Sequence, residues 1–453
     1  MTPPVRGGSS DPGELSDGAP ARVLAGRALV RGRLQPVEIA IDDLGRIQSV
    51  GRIRTGGERH DVGQSVILPA ATDLHVHLRE PGGAGESIAS GTIEAALGGV
   101  TLVGEMPNTD PPVTDTDRLE AKEALVRGRA AVDVLLYASP LDAGSVPALA
   151  ERAGAFKIFL SPTTGIDAVP NPTDLARLLD RLAGFDVPVA VHAEDPACFR
   201  DIVPISDARA WNAHRPPSAE AEALRRLGES PDRLRLHIAH ATTPASVREL
   251  RARGWSFEAT AHHLLLSERA GADARFKVNP PLRSEEDRAG LWAAFCRGEI
   301  PCLASDHAPH PADGKSLGFD RAPSGMPGLE TTLPILLARV RSGELPLDVL
   351  LRSASDRPAR WFGQPLGRIA PGHRANLLVV DFRARRRLTA ARLHAPCGWT
   401  AFEGWEAIPP VEHWRDGEPI VREGEFVGPA RGRVVVPEFS PAARRHALRE
   451  PSG

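Results

Sequence analysis

A chain of 453 residues is long enough for one large barrel-type domain and a smaller companion, and its 42% apolar and 25% charged content is that of an ordinary globular protein. A net charge of −3 gives no electrostatic footprint for nucleic acid or an anionic membrane. No apolar run approaches the ~18 residues that a membrane-spanning helix needs.

Residues 1–20, rich in Pro, Gly, Ser and Asp, read as a disordered tail; they lack the basic and apolar regions of a secretory signal. From 21 to 67 short apolar segments (ARVLAGRALV, PVEIAIDD, GRIQSVG) are broken by Gly and Asp, the pattern of small antiparallel strands. Similar material returns over 366–440, in GRIAPGHRANLLVVDF, GEPIVREGEFV and GRVVVPEF. The expectation is a small β-sandwich domain built from both chain ends, followed by a polar tail at 441–453. Between 68 and 365 the pattern changes. Apolar runs recur as SVILPAATDLHVH, GVTLVGEMPN, AVDVLLYASP, AFKIFLSP, VPVAVHAED, RLRLHIAHA, SFEATAHHL and IPCLASDHAPH, with helical periodicity between them. Eight such runs predict a (β/α)8 TIM-type barrel. The rival, a doubly wound open sheet, lacks the GxGxxG that would open its first turn. Cys198, Cys296, Cys302 and Cys397 show no CxxC pairing and read as reduced thiols of a cytoplasmic protein.

The chemistry concentrates at the ends of these runs. In DLHVHLREPG (73–82), Asp73, His75 and His77 share one strand face while Leu74, Val76 and Leu78 share the other. Surface strands seldom carry paired imidazoles, whereas two at this spacing can converge on one metal ion. Later runs end in Asn108, Lys157, His192, His240, the pair His262 and His263, and Asp306. In a barrel these ends ring one mouth, where active sites of the fold sit. Of 55 basic residues only Lys122, Lys157, Lys277 and Lys315 are lysines, so a lysine at a strand end suggests a need for an amine. A snorkelling or ion-paired lysine is the bland alternative.

With MPNTDPP, FKIFL, VHAE, HIAH, KVNPPLR, SDHAPH and SGMPGLETTLP added to DLHVHLREPG, the chain resembles the amidohydrolase superfamily, and within it the class I dihydroorotase family, over residues 73–333. The resemblance implies two zinc ions. One would be held by His75, His77, Lys157 and Asp306, the other by His192 and His240, with Lys157 bridging as a carboxylated lysine. Paired divalent ions lower the pKa of water, and arginine cannot form a carbamate. Asp306 would carry the catalytic proton. Arg79, Asn108, Asn279 and His310, with backbone of Pro327 and Gly328, would bind the substrate's carboxylate and ring. Glu258 matches a position of additional metal contact in some relatives, or is a buried barrel carboxylate. His237 reads as a core or supporting histidine, and SPTTGI (161–166, with Thr163 and Thr164) as a lid. The implied reaction is reversible cyclisation of N-carbamoyl-L-aspartate to dihydroorotate in pyrimidine biosynthesis. Rival readings are another cyclic amidase (dihydropyrimidinase, hydantoinase or allantoinase) and a silent scaffold for aspartate transcarbamoylase. The partners are then a small-molecule substrate, with a homodimer and an association with aspartate transcarbamoylase left open.

Overall fold

The computed structural model describes residues 20–437 apart from 31–32, 54–55, 84, 167–168 and 229–232. The two expected tails, Pro20 excepted, lie outside the described residues. Four strands open the chain: β1 (Arg22–Val30), β2 (Arg33–Ile41), β3 (Ile47–Gly51) and β4 (Glu58–Pro69). A single residue then separates β4 from β5 (Ala71–Val76), the first of the parallel strands. These continue as β6 (Val100–Glu105), β7 (Asp133–Ala138), β8 (Ala155–Phe159), β9 (Val189–His192), β10 (Leu236–Ile238), β11 (Ser256–Thr260) and β12 (Cys302–Ala304).

Strands β5 to β12 lie side by side in chain order, every pairing parallel, with helices between them. Helices cover the outside and side chains fill the inside, so both faces are dry. That is why these strands read as apolar runs such as the VLLYA of β7. The ring closes between β12 and β5. Both oxygens of the Asp73 carboxylate accept from the Ser305 N–H at 3.1 Å, and the His77 N–H donates to the His307 carbonyl at 2.7 Å. The expected TIM-type barrel is thus the observed architecture.

The C-terminal strands are β13 (Leu377–Val380), β14 (Arg386–Arg387), β15 (Glu406–Ala407), β16 (Glu412–Arg415), β17 (Glu418–Arg422), β18 (Glu425–Phe426) and β19 (Val434–Val435). The second sheet runs β18-β17-β16-β13-β4-β1-β2-β3, so both chain ends build it. Among the described strands of this sheet, only β1 and β4 pair parallel. Leu24, Ile39, Ile67, Leu377 and Trp414 form its core. A buried ionic clasp joins it to the barrel: Asp133 at the start of β7 accepts from Arg374 at 2.6 Å and from Arg415. The sequence HRANL supplies Arg374, which also pairs with Asp416.

Candidate metal centre and its cavity

Alternation along β5 places His75 and His77 on the inner face at the barrel mouth, both buried. Asp306 follows β12 in a left-handed conformation, φ 46°, that turns its carboxylate inward. Its Oδ1 stands 3.3 Å from the Nε2 of both His75 and His77. Lys157 on β8 is fully buried, its Nζ 3.4 Å from His75 Nε2. His192 ends β9 and His240 follows β10; His192 Nδ1 and His240 Nε2 face each other at 3.0 Å. The six residues form one cluster, with the His75 ring centroid 5.4 Å from that of His240.

Three of the four rings are held from behind. His75 Nδ1 donates to Glu258 Oε1 at 2.7 Å, His77 Nδ1 to Asn108 Oδ1 at 2.7 Å, and His192 Nε2 to Glu194 Oε2 at 2.9 Å. The opposite nitrogen of each is left basic and pointed at the common centre, the arrangement that orients imidazole ligands. Burial keeps the rings neutral, as ligands must be. It pushes His75 down to about 4, and His77 and His240 well below the ordinary imidazole range. Burial also lowers the Lys157 amine to about 8, against the pull of Glu258 and Asp306.

Beside the cluster lies a small cavity of about 100 Å³, lined by His75, His77, Arg79, Asn108, Phe159, Thr163, Thr164, His192, His240, Asn279, Asp306, Ala308, Ser324 and Gly325. Arg79 is anchored by Nε to the Pro309 carbonyl at 3.3 Å, with Nη2 3.2 Å from His310 Nε2. His310 therefore stands behind Arg79 rather than lining the cavity. Both ends of the Asn108 amide are engaged, Oδ1 by His77 and Nδ2 by the Thr164 carbonyl at 2.8 Å. That bond ties the 161–166 segment to the metal-side ring.

Three expected site residues, Glu258, Pro327 and Gly328, lie outside the cavity lining. Both oxygens of Glu258 accept from imidazoles behind the cluster, the second from His237 Nε2 at 3.0 Å. Burial opposes its ionisation, but His75 and His237 hold it well below the usual carboxylate range. Pro327 and Gly328 do not line the cavity either. The Gly328 N–H donates to His307 Nδ1 at 3.1 Å, and Ala308, Ser324 and Gly325 supply the backbone there instead. One functional residue escaped the sequence reading. Glu194, in VHAE, holds His192 and is itself gripped by Arg215 at 2.6 Å. Its position two residues after His192, just past the end of β9, was the available signal.

The donor set fits divalent ions. Nitrogens of two buried rings face each other, and the remaining nitrogen of His240 has no hydrogen-bond partner among the described residues. His75, His77 and Asp306 offer ligand atoms within 4.8 Å of one another. A parallel barrel with imidazoles, a lysine and a carboxylate gathered at its C-terminal mouth is the hallmark of a metal-dependent hydrolase. The chain matches the amidohydrolase family over residues 66–419 and belongs to it. Its relatives include the dihydroorotase of Halobacterium salinarum, 36% identical over 91% of this chain and 99% of that one. The dihydroorotase of Pyrococcus furiosus is 35% identical, over 91% and 96%. Among solved structures, the L-hydantoinase of Arthrobacter aurescens superposes with a TM-score of 0.86 at 25% identity, covering 91% of this chain and 99% of the other. Within the amidohydrolases, the chain falls with the dihydroorotases.

Proposed function

We propose that this chain is a dihydroorotase, interconverting L-dihydroorotate and N-carbamoyl-L-aspartate in pyrimidine biosynthesis. The observation that carries the substrate assignment is Arg79. Its buried guanidinium lines the same small cavity as Asp306 and the clustered histidines. Dihydroorotate carries a ring carboxylate that dihydrouracil and hydantoin lack, and a planar guanidinium matches a carboxylate with two parallel hydrogen bonds.

His75, His77, Lys157 and Asp306 would hold one ion, and His192 and His240 the second, with Lys157 bridging as its carbamate. Imidazole nitrogens with carboxylate-type oxygens suit zinc. Bound there, the ions would supply Lewis acidity to the ring amide carbonyl and a water of lowered pKa. The protein does the rest. Arg79 and Asn279 orient the ring. The small cavity and the 161–166 segment, tied down through Asn108, restrict solvent. Asp306 accepts the proton of the attacking water and returns it to the departing amide nitrogen; cyclisation runs the same transfers in reverse.

The test offers purified protein L-dihydroorotate, 5,6-dihydrouracil and allantoin side by side, with metal content measured. Dihydroorotate is expected to have by far the highest kcat/KM. Faster turnover of dihydrouracil would move the chain to the dihydropyrimidinases.

A further inference from the structure

Behind the cavity a second buried cluster takes no part in the site described so far. Glu86, Glu94 and His307 bring ligand-type atoms within 4.8 Å of one another, a spacing that would suit a further metal ion. The hydrogen bonds argue against one. His307 Nδ1 accepts from two backbone N–H groups, Gly328 at 3.1 Å and Leu329 at 3.3 Å. A nitrogen that accepts carries no hydrogen, so the proton of this ring sits on Nε2. Nε2 then donates to Glu86 Oε2 at 3.2 Å, and an N–H cannot ligate a metal.

What the cluster holds is a proton. Glu86 Oε1 already accepts from the Ser87 N–H at 2.9 Å and from the Ser90 hydroxyl. Glu94 is 1% exposed, and its Oε1 has no hydrogen-bond partner among the described residues. Besides His307, the ionisable groups that act on it most are Glu86, Glu330 and Cys397, all three acids. Two buried carboxylates with oxygens within 4.8 Å of each other do not both ionise, so one keeps a proton. Burial and the neighbouring Glu86 set Glu94 as the acid, its carboxyl held well above the ordinary range.

We propose that Glu86, sharing the proton of Glu94, is a positioning residue that acts through His307 to fix the turn carrying Asp306. His307 is the next residue after Asp306, and four connections meet in it. Its carbonyl accepts from the His77 N–H, and it bridges Val76 on one side and Met326 on the other. Its ring holds the 328–329 turn. Its partner Glu86 directly precedes Ser87, the N-cap of the helix Ile88–Gly98, here α1. Helix α1 packs so closely on that turn that a Cβ at Gly98 would lie 2.2 Å from the Leu329 carbonyl. With ring, helix and turn locked together, the left-handed backbone at Asp306 has no freedom to relax. A catalytic carboxylate displaced by about 1 Å can cost on the order of a hundred-fold in rate.

This role for Asp306 rests on the function proposed above, but two of the readouts do not. In the purified holoenzyme at neutral pH, the infrared spectrum is expected to show a protonated carboxylic-acid C=O band that disappears in Glu94→Gln. Nitrogen NMR is expected to show His307 protonated on Nε2. Glu94→Gln keeps a donor for Glu86 and is expected to retain most activity. Glu86→Leu is expected to lower kcat ten-fold or more with KM and metal content nearly unchanged. Absence of the acid band, or a proton on His307 Nδ1, would overturn the relay. A metal-to-protein ratio that falls in Glu94→Gln would make the cluster an ion site instead. An unchanged kcat in Glu86→Leu would remove the positioning role.

Discussion

Arg79→Met separates recognition from chemistry. Methionine is similar in length and apolar, so the buried stem keeps its packing while the guanidinium is lost. In the wild type that guanidinium is fixed by Pro309 and His310, so its ordering cost is met before substrate arrives. A hydrogen bond to a charged partner contributes about 1.5–3 kcal/mol. At about 1.4 kcal/mol per decade, the loss in kcat/KM for dihydroorotate is roughly ten- to a hundred-fold. None of the clustered histidines or Lys157 bonds to Arg79, so metal content should hold. Dihydrouracil, with no ring carboxylate, should lose little. Arg79→Lys should recover little, because an ammonium is a point charge without the fork. The assay is kcat/KM for both substrates in wild type and both variants, with metal measured on the same samples. Equal losses on the two substrates would make Arg79 a structural residue and withdraw the main physical support for dihydroorotate.

Lys157→Ala should lower the metal-to-protein ratio and abolish turnover, and Lys157→Arg should do no better, since a guanidinium forms no carbamate; metal analysis of the two variants decides it. Asp306→Asn should stop hydrolysis and cyclisation alike, read from initial rates in both directions. Asp133→Ala leaves the buried Arg374 and Arg415 with only Asp416 as a carboxylate partner and should destabilise the fold by up to about 3–5 kcal/mol, measured by denaturant unfolding. His413 is buried against the Ala96 carbonyl at 2.8 Å, and burial lowers it from 6.5 to about 4. Its stabilising contribution is therefore complete above pH 6.5 and lost as pH falls toward 4, on the order of 3 kcal/mol in all. His413→Asn should flatten the acid limb of the stability curve; an unchanged limb would show that His413 is not its source.

The barrel and the residues gathered at its mouth were legible in the chain alone, because both follow from local rules. Parallel strands buried on both faces must be apolar throughout, and the i, i+2 period of a strand puts His75 and His77 on one side. Lys157, His192 and Asp306 were legible because strand ends in this fold converge whatever lies between them. What stands behind those residues emerges in the folded chain. His75 meets Glu258 from a strand far along the chain, and nothing near either residue foretells the pairing. The same holds for Arg79 with His310, and for Asp133 with Arg374 and Arg415. It holds again for Gly328, whose N–H is used by His307 and so is turned away from the cavity. Side-chain partners across a barrel depend on register, tilt and the route of each loop. Those are properties of the closed sheet, which no single segment of the chain encodes.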